Sequence, residues 1–584
     1  MILFKVVSIF LFLGILTINP SPTLAVDITI NNNIQHQMME GFGATNVSLV
    51  YDGALGDVLS PALRTGIIDA AYKQVGLTTG NLDVPLLEST GGWSGRQNDN
   101  VDPFTINALG FDSVASRNSK TKLVDIAEPL GFNNYYLAKM VNNRFASPWM
   151  VTIRTSNYNL YLDEAAEQIL ATALHWRDQY GIIPTYIAPF NEPTSGNNEL
   201  NGGTTQEVVD IIKRAGSRLQ TAGFSNVKFV VPNEETTTRS HTVAQAILSD
   251  PVARQYVGAI GYHPYPYGGN YSFIPNILSQ SGSGNPNQAE ITSRTALKQL
   301  GQQYGVPVWM TEVSHGTDGT TMDIRSFDTM RGRAIHIHDE LEYANASAFF
   351  GMHNIWDRTS EREHFGGDVN LYKQEGHIAI ADQNNNQVYI TGMGYAIGHF
   401  ARWITKGAIR LEAVSPDSLV QVSAFRDNTK QRLITVIINN ASVQKSIALK
   451  LTGLSISGNS SGEQSTAAVF WNPLSAISST SLTTNYLIPA LSVTTISSPF
   501  ENSTTPTPPA TLTTTPSPTP TSQPLTPGDT NGDRAINLTD LTIVLTNFGK
   551  SGVSIGRAQG DLDGSHSVTL SDLTIILANF GKTS

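Results

Sequence analysis

Two glutamates, Glu192 and Glu312, each stand at the end of a short apolar run, in residues 186–193 and 307–312. Such runs are typical of strands in a parallel sheet that helices cover on both faces. If the strands close into a barrel, the side chains at their carboxyl ends meet at one mouth. Two carboxyl groups there are what glycoside hydrolysis needs, since one protonates the leaving oxygen and the other attacks the anomeric carbon or activates water. We therefore predict that Glu192 and Glu312 form a catalytic pair.

The residues around both glutamates resemble a known family of hydrolases. Asn-Glu-Pro at 191–193 and Trp-Met-Thr-Glu at 309–312 are similar to signatures of retaining β-glycosidases on TIM barrels, most closely glycoside hydrolase family 30. The resemblance implies that Glu192 is the general acid/base and Glu312 the nucleophile. It also implies that Asn191 hydrogen-bonds the 2-OH of the sugar. No cofactor is expected for the chemistry.

Side chains at the ends of neighbouring predicted strands are candidates for contacts with the sugar. His263 and Tyr265 follow the strand predicted over 257–262, and the resemblance implies that they stack on a sugar face and hydrogen-bond the nucleophile. The alternative for both is an aromatic turn that only packs. The preceding strand ends on Glu234 and Glu235, which are rival catalytic groups. Because the two signatures are more specific, we assign Glu234 to substrate contacts at the rim of the cleft.

Two tryptophans are further candidates for the substrate site. Trp149 lies in residues 147–153, which resemble the third barrel strand of the family, where a proline and a tryptophan lie just under the cleft. Trp356 ends residues 346–356, which we predict as the eighth strand. It resembles the tryptophan that floors the sugar subsite in relatives, and packing in the core is the alternative.

One contact that the resemblance implies is missing from the sequence. Many relatives carry a substrate-binding arginine on the second strand, predicted here over 82–88, and this chain has none there. Asn81, Asp83 and Glu88 are the candidates to replace it. The departure keeps open a non-catalytic protein that retains the barrel and binds carbohydrate.

The elements that must position these side chains are predicted to form an α/β fold, a (β/α)8 TIM barrel over residues 26–405. Residues 38–45 are predicted as its first strand, ending in a tight glycine turn, and Gly-Phe-Gly at 41–43 resembles the opening motif of family 30. Residues 162–181 have apolar residues at helical spacing and a terminal glycine, which predicts a helix. That helix leads into the strand of Glu192, as in a parallel strand-helix-strand unit.

Beyond the barrel the pattern changes to short alternating runs separated by turns, which predicts an accessory antiparallel β-sandwich over 406–500. The resemblance implies that the N-terminal strand, near residues 27–30, joins this sandwich. We expect the sandwich to brace the barrel, with carbohydrate binding as the alternative. Residues 501–527 are rich in Thr, Pro and Ser, which predicts an extended linker.

Residues 528–584 contain an internal repeat. The loops 529–540 and 561–572 align residue for residue, and each runs into an amphipathic segment. Oxygen-bearing side chains at these loop positions are the ligands that Ca²⁺ prefers, so we predict two structural calcium ions. The doubled loop and helix resembles a dockerin, a small all-α module whose partner is a cohesin domain of a scaffoldin or cell-surface protein. The predicted ligands are Asp529, Asn531, Asp533, the carbonyl of Ala535, Asn537, Asp540, Asp561, Asp563, Ser565, the carbonyl of Ser567, Thr569 and Asp572.

The composition limits the partners and the compartment. The chain of 584 residues has a net charge of -11, which argues against nucleic acid and anionic membranes as partners. Residues 1–25 predict a signal peptide, because Lys5 precedes an apolar run and a small-residue cleavage site follows. A retained N-terminal anchor is the alternative, and we expect no membrane span in the mature protein. The chain has no cysteine, so no disulfide stabilises it.

These features together predict a secreted retaining endo-β-glycanase that hydrolyses a plant-type polysaccharide and is attached outside the cell through its dockerin. β-1,6-Galactan is the first candidate, because residues 188–193 with Gln206 and Glu207 resemble the endo-β-1,6-galactanase branch of the family. A xylanase, a β-glucanase or an exo-glycosidase of the same family stays open. So does the non-catalytic carbohydrate-binding protein.

Overall fold

In the computed structural model of the protein, the chain divides into two compact units, within Met1–Thr505 and Pro506–Ser584. The first contains the predicted barrel and sandwich, and the second contains the predicted calcium-binding repeat. The structure describes residues 25–45, 60–83, 99–107, 114–138, 141, 148–195, 200–266, 273–313, 325–351, 355–357, 378–382, 385–502, 528–531, 536–552, 555–580 and 582.

Eight parallel strands close into a barrel in the first unit, as the sequence predicts. Each strand pairs with the next along the chain, and the first pairs with the last. Strand β1 (Val26–Met38) precedes the barrel and belongs to a different sheet. The barrel strands are β2 (Gly41–Thr45), β3 (Thr79–Asp83), β4 (Asn134–Ala138), β5 (Tyr186–Ala188), β6 (Lys228–Glu234), β7 (Val257–Tyr262), β8 (Val308–Met310) and β9 (Ala346–Gly351).

Helices connect successive barrel strands. The helix predicted over 162–181 is confirmed: it runs over Tyr158–Tyr180 and ends where Gly181 takes a left-handed conformation, with φ 69°. Among its described residues, the α-helices of the first unit are α1 (Pro61–Ile68), α2 (Val114–Asn118), α3 (Asp125–Ala127), α4 (Pro148–Ser156), α5 (Tyr158–Tyr180), α6 (Thr205–Thr221), α7 (Thr237–Ser249), α8 (Pro251–Arg254), α9 (Phe273–Ser279), α10 (Gln288–Tyr304), α11 (Phe327–Tyr343), α12 (Gly392–Ala401) and α13 (Ser479–Thr484).

Aromatic rings fill the inside of the barrel. The ring of Trp309 on β8 lies edge-on to that of Tyr186, with centroids 4.6 Å apart, and stacks with that of Phe350 at 6.1 Å. Tyr136 of β4 lies edge-on to Trp309 at 6.1 Å. Alanines on β4, β5, β7 and β9 leave room for these rings, so that large and small side chains share the interior. The inside of the barrel is therefore a packed core, and its aromatic layer supports the side chains at the carboxyl ends of the strands.

The Gly-Phe-Gly segment lies inside strand β2, so the prediction of a tight turn there is wrong. A Cβ on Gly43 would stand 2.7 Å from the carbonyl oxygen of Thr79 and 2.8 Å from the ring of Phe350. Both are closer than a Cβ tolerates. Glycine is needed at this position because β3 and the inner aromatic layer approach the backbone closely.

The prediction that residues 147–153 form the third barrel strand is also wrong. Their described part lies in helix α4, and β4 is the third strand. Pro148 is tolerated there because the first turn of a helix needs no hydrogen bond from its nitrogen. Met150 is buried, and its sulfur accepts a hydrogen bond from Nε2 of Gln168 on α5 at 2.9 Å. The apolar run therefore packs against a neighbouring helix.

The run predicted as a single eighth strand, 346–356, belongs to two different strands. Its first part is β9, which is the eighth barrel strand as predicted. Its last residues lie in β10 (Ile355–Asp357), which pairs with β11 (Ala379–Asp382). With β12 (Gln387–Ile390), these strands form a separate three-stranded sheet. Trp356 thus has its backbone outside the barrel wall.

A second large sheet accompanies the barrel in the first unit. β1 joins it, as the resemblance implies, and pairs antiparallel with β13 but parallel with β16. The sheet is therefore mixed, and the prediction of a purely antiparallel sandwich fails at the β1–β16 pair. Ile477 and Ile488, from opposite ends of the sheet, share one hydrophobic cluster, so the sheet encloses its own core. Its later strands are β13 (Ile409–Val414), β14 (Val420–Asp427), β15 (Arg432–Asn439), β16 (Lys445–Thr452), β17 (Leu454–Ile456), β18 (Ser460–Thr466), β19 (Val469–Ile477), β20 (Tyr486–Ile488) and β21 (Ser492–Asn502).

The second unit contains two matching helices, α14 (Leu538–Asn547) and α15 (Leu570–Asn579). Equivalent residues of the two sequence repeats form its small core, which explains why the apolar positions recur in both halves. This core consists of Ile536, Val544, Val568 and Ile576. Across the described residues of both units, none of the helices combines the length and apolar character needed to span a membrane.

Candidate active site

Glu192 occupies a strained backbone turn just after strand β5. Its φ is +49°, in the left-handed region that costs a residue other than glycine about 1 kcal/mol or more. The N–H of Glu192 donates to the carbonyl of Asn233 at 2.8 Å, and its own carbonyl accepts from the N–H of Ser195 at 3.0 Å. Backbone strain of this kind persists where neighbouring contacts fix it, and it concentrates at functional sites.

Glu312 follows strand β8, and its neighbour Thr311 ties it to the rest of the mouth. The Thr311 N–H donates to the carbonyl of Tyr262 at 2.9 Å, and its hydroxyl donates to Oδ1 of Asn233 at 2.8 Å. Asn233 therefore binds the segments that carry both glutamates: it accepts the Glu192 N–H at its main chain and the Thr311 hydroxyl at its side chain. Asn233 itself has φ +58°.

The two glutamates and His263 converge at the carboxyl ends of the strands. Nδ1 of His263 lies 2.9 Å from Oε1 of Glu192 and 3.7 Å from Oε1 of Glu312. One oxygen of each glutamate and one nitrogen of the histidine all lie within 4.8 Å of one another. Carboxyl groups about 5 Å apart suit retaining hydrolysis, whereas inverting enzymes need roughly 6.5–9.5 Å to admit a water. This spacing fits direct attack by one carboxylate.

Tyr265 adds a second contact to the predicted nucleophile. Its hydroxyl lies 3.5 Å from Oε1 of Glu312, and its ring is edge-on to that of His263, with centroids 6.1 Å apart. Both side chains are almost fully buried. The structure therefore brings together four of the residues that the sequence singles out: Glu192, His263, Tyr265 and Glu312.

A small cavity lies at this point, and Asn191 is part of its wall. The sequence did not single out Asn233, Thr311 or Tyr136, which also line it. Two of them could have been found from the sequence by their position, because Asn233 directly precedes Glu234 and Thr311 directly precedes Glu312, and both glutamates were predicted at strand ends. The lining residues are Tyr136, Ala138, Ala188, Phe190, Asn191, Asn233, His263, Thr311 and Glu312.

Several predicted site residues do not join this group. Glu234 is 0% exposed, because the turn after Glu192 covers its side chain, and its contact with substrate at the cleft rim stays a prediction. Trp149 packs against Ile106 and Ala171 on the outer helical layer, because its segment is a helix. The side chains of Trp356, Asn81 and Asp83, and the whole of Glu88, lie outside the described part of the chain.

The strand that carries His263 is anchored from behind by a buried ionic network. Tyr262 donates its hydroxyl to Oε2 of Glu340 at 2.5 Å, and Arg294 binds both oxygens of Glu340 at 2.9 and 2.6 Å. His336 Nε2 lies 2.8 Å from Glu340 Oε1. Burial by itself would raise the pKa of Glu340, but these cationic and hydrogen-bonding partners lower it to about 2. Because the Glu340 carboxylate is held by these partners, its hydrogen bond to Tyr262 fixes the end of strand β7.

Glu207, part of the galactanase-like context, has a structural place. It lies in the first turn of helix α6, where its carboxylate and the side chain of Thr204 cap the helix reciprocally. Oε2 of Glu207 also accepts a hydrogen bond from Arg154 at 2.5 Å, and Tyr161 binds Oε1. The carboxylate is buried, so it contributes helix capping and supports no particular substrate.

The second loop of the second unit holds three carboxylates close together. One oxygen from each of Asp561, Asp563 and Asp572 lies within 4.8 Å of the others. Main-chain N–H groups orient them: Leu562 donates to Oδ1 of Asp572 at 2.6 Å, and Ser565 donates to Oδ1 of Asp561 at 3.0 Å. This all-oxygen set is one that suits Ca²⁺.

The first loop is described only in part. Asp529 is buried, and Oδ1 of Asp540 accepts hydrogen bonds from the N–H and hydroxyl of Thr530 at 2.7 and 2.9 Å. Asn537 caps helix α14 through the N–H of Thr539. Asn531 lies in the described loop, and Thr569 caps α15 as Asn537 caps α14. Ser565 and Ser567 also lie in the described second loop, whereas Asp533 and Ala535 fall outside the described residues.

Comparison with known proteins places this architecture among polysaccharide-degrading enzymes. No family model matches the chain. A glucuronoxylanase of Bacillus subtilis is 22% identical over 446 residues, covering 76% of this chain and 85% of that protein. A GH30 endoxylanase of Clostridium papyrosolvens has a TM-score of 0.55 at 17% identity, covering 81% of this chain and 100% of its own. An endo-β-1,6-glucanase has a TM-score of 0.55 at 17% identity, with coverages of 82% and 95%.

The solved structures show that the chain shares the fold of these enzymes. A closed parallel barrel beside a second sheet, with two carboxyl groups and a histidine gathered at the strand ends, defines a glycoside hydrolase. The class follows from fold and site together. The glycan on which the enzyme acts is a separate question.

Proposed function

We propose that the protein is a secreted, retaining endo-β-glycanase of the family 30 type that works by double displacement. The single observation that carries the proposal is the convergence of Glu192, Glu312 and His263 within 4.8 Å. The carboxyl spacing is that of retaining enzymes. Secretion rests on the signal-peptide pattern of residues 1–25.

In the first step, the carboxylate of Glu312 forms a bond to the anomeric carbon while the glycosidic bond breaks. Glu192 gives its proton to the departing oxygen, so the leaving sugar departs as an alcohol. In the second step, water attacks the same carbon, Glu192 takes a proton from that water, and the bond to Glu312 breaks. His263 and Tyr265 hydrogen-bond the two carboxyl groups and fix their orientation between steps.

β-1,6-Galactan is our first candidate for the substrate. The support is the sequence around Asn191 and Glu192 and the fold shared with an endo-β-1,6-glucanase, which is named for the same linkage. The glucuronoxylanase relative supports xylan as the second candidate. Glu207 adds no support for galactan, because its carboxylate caps a helix.

We also propose that the second unit is a dockerin that binds two calcium ions and a cohesin partner. The support is the carboxylate cluster of the second loop and a repeated exposed apolar surface on the two helices. Calcium would neutralise the clustered carboxylates and order both loops. The exposed residues come in equivalent pairs, a feature that suits docking: Leu538 with Leu570, Leu545 with Leu577, and Phe548 with Phe580.

A panel of polysaccharides with analysis of product lengths tests the enzymatic proposal. The panel contains β-1,6-galactan, β-1,6-glucan, xylan and glucuronoxylan. A ladder of oligosaccharides from one polymer is the expected result for an endo-acting enzyme. Release of monosaccharide alone would show that the enzyme is an exo-acting glycosidase and not an endo-acting one.

The variant Glu312→Gln separates an enzyme from a carbohydrate-binding protein. The amide cannot attack the anomeric carbon, so an enzyme loses turnover while its glycan still binds. Binding of the same glycan by the wild type without any product would favour the non-catalytic protein. Glu342→Gln, a change of a partly exposed glutamate on the outer helix α11, is the matched control and is expected to keep turnover.

A further inference from the structure

Glu234 is a carboxyl group in the catalytic region that the proposed chemistry does not use. It ends strand β6, and its side chain is 0% exposed. Oε1 of Glu234 accepts a hydrogen bond from the main-chain N–H of Thr194 at 2.9 Å. No lysine or arginine of the described chain lies within ion-pair distance of it, and Arg239 instead pairs with Glu235 at 3.3 Å.

The partner of Glu234 belongs to the strained turn that carries Glu192. Two hydrogen bonds join this turn to the end of β6: the Glu192 N–H donates to the carbonyl of Asn233, and the Thr194 N–H donates to the carboxyl group of Glu234. The first uses only main-chain atoms, so any residue at 233 can accept it. The second depends on the side chain at 234. Glu192 therefore keeps its left-handed conformation with the help of a specific side chain.

The main chain of Glu234 also holds the histidine that contacts Glu192. Its carbonyl accepts the N–H of His263 at 3.0 Å and the hydroxyl of Ser240 at 3.2 Å. His263 in turn lies 2.9 Å from Oε1 of Glu192. Glu234 thus binds both the turn that carries Glu192 and the main chain of His263, which is the hydrogen-bonding partner of Glu192.

The chemistry of the group favours a functional reason for its presence. Burial raises the pKa of the Glu234 carboxyl group, and the hydrogen bonds of Thr194 and the charge of Arg239 only partly offset this. A buried carboxyl group without a direct ion pair destabilises a fold, and an apolar side chain of similar size would not carry that cost. A glutamate is therefore best explained here by the hydrogen bond that it accepts.

We propose that Glu234 is a positioning residue, whose side chain fixes the 192–194 turn and so aims the Glu192 carboxyl group at the leaving oxygen. The inference rests on the proposed function, since it assigns Glu192 as the general acid. It gives Glu234 a role other than the predicted contact with substrate. A displacement of about 1 Å in a reacting group costs on the order of 100-fold in rate.

Leaving-group dependence distinguishes positioning of the acid from general support of the fold. The leaving oxygen of a polysaccharide needs a proton, whereas 2,4-dinitrophenolate leaves without one. The full-length wild type and the variant Glu234→Leu are compared by kcat/KM on the glycan and on a 2,4-dinitrophenyl glycoside of the same sugar. kcat/KM reports the steps up to departure of the leaving group.

For Glu234→Leu we expect roughly a 100-fold loss of kcat/KM on the glycan and less than about a threefold loss on the dinitrophenyl glycoside. Glu234→Gln retains an acceptor oxygen for Thr194 and is expected to stay within about threefold of wild type on both substrates. Glu234→Asp shortens the side chain by one methylene group and so moves the carboxylate oxygen away from the N–H of Thr194. If the leucine variant does not fold, the aspartate variant tests the positioning role, with the same selective loss on the glycan expected. Glu501→Gln, a change of an exposed glutamate on strand β21, is the control and is expected to behave as wild type on both substrates.

Equal losses on both substrates, or no loss on the glycan, would overturn the positioning role. An active wild type together with either result overturns this inference alone. A wild type that hydrolyses neither the glycans nor the aryl glycoside overturns the proposed function as well as the inference built on it.

Discussion

Glu192 and Glu312 of the barrel come from separate strands and are far apart in sequence. Asp561, Asp563 and Asp572 of the second unit come from one short stretch, a loop and the first turn of helix α15. In both places, carboxylate oxygens lie within 4.8 Å of one another. The barrel stabilises its pair with His263 and with turns fixed by main-chain hydrogen bonds, all supplied by the folded chain. The loop instead gathers acidic groups in the way that calcium loops do.

The comparison shows that close carboxylates serve different ends according to what surrounds them. In the barrel a histidine hydrogen-bonds Glu192 and a tyrosine donates to Glu312, and the neighbouring cavity has room beside Glu312. In the loop, main-chain N–H groups and the hydroxyl of Thr569 donate to the carboxylates. The first arrangement is ready for proton transfer and attack, and the second suits a cation.

Removal of the barrel carboxylates tests the first half of this comparison and has the largest expected effect. Glu312→Gln should lower kcat on the preferred glycan by on the order of 10⁴-fold or more, because the nucleophile is lost. Glu192→Gln should lower kcat/KM on the glycan by about 10²–10⁴-fold. Both variants should keep their calcium content. Retention of more than a tenth of wild-type turnover by Glu312→Gln would contradict the assignment.

Removal of calcium tests the second half. Chelation should abolish binding to a cohesin by the full-length protein, with at least about a 100-fold rise in Kd, because the loop carboxylates repel one another without the ion. Hydrolysis of a soluble glycan should change by less than about twofold, and added calcium should restore binding. Cohesin binding that persists in chelator, measured by calorimetry, would mean that the loops fold without a cation.

The buried network at Glu340 sharpens the comparison, because there the chain itself supplies the cation. Glu340→Gln leaves the buried Arg294 without full compensation and should reduce the free energy of unfolding by about 3–5 kcal/mol. Denaturant titration measures this loss. Asp27→Asn removes an exposed ion pair to Lys450 and should cost less than about 1 kcal/mol. Equal effects from the two variants would show that the network is not an anchor.

The pH dependence of stability tests the neutral histidines that are buried in the first unit. Burial lowers the pKa of His338 to about 4 and that of His399 to about 3, against about 6.5 when unfolded. Between pH 6.5 and 4 the unfolded chain binds protons that the folded chain excludes, so stability is lost as the pH falls through this window. Each histidine contributes about 1.4 kcal/mol per pH unit.

Urea titrations of the full-length protein at pH 7 and pH 5 check this expectation, with intrinsic tryptophan fluorescence as the signal. His399 packs between Thr495 and Ser465, so its replacement by Gln should make the stability less dependent on pH. An unchanged free energy of unfolding at the two pH values would contradict the buried, neutral state of these histidines.

Local sequence was enough to predict the barrel, the helix before Glu192 and both strand-end glutamates, because a buried parallel strand leaves a continuous apolar run. It failed at residues 147–153, since a short apolar run fits a buried helix as well as a strand. It failed again at Gly43, where the need for glycine comes from the neighbouring strand β3.

Glu234 shows the same limit within the site. As a strand-end carboxylate it has the same local pattern as Glu192, and nothing nearby in sequence shows that it is buried. Its burial depends on the turn at Thr194, which comes from a different part of the chain. Residues such as Asn233, which link two turns through one side chain, are likewise visible only in the folded structure.

The most direct test of the catalytic pair is covalent trapping of the nucleophile. A 2-deoxy-2-fluoro glycoside with a good leaving group slows the second step, so the glycosyl-enzyme accumulates and its labelled peptide can be found by mass spectrometry. We predict a single label on Glu312, with proton NMR showing that the first product keeps the β configuration. A label on Glu234 or another residue, or a first product of inverted configuration, would contradict the account.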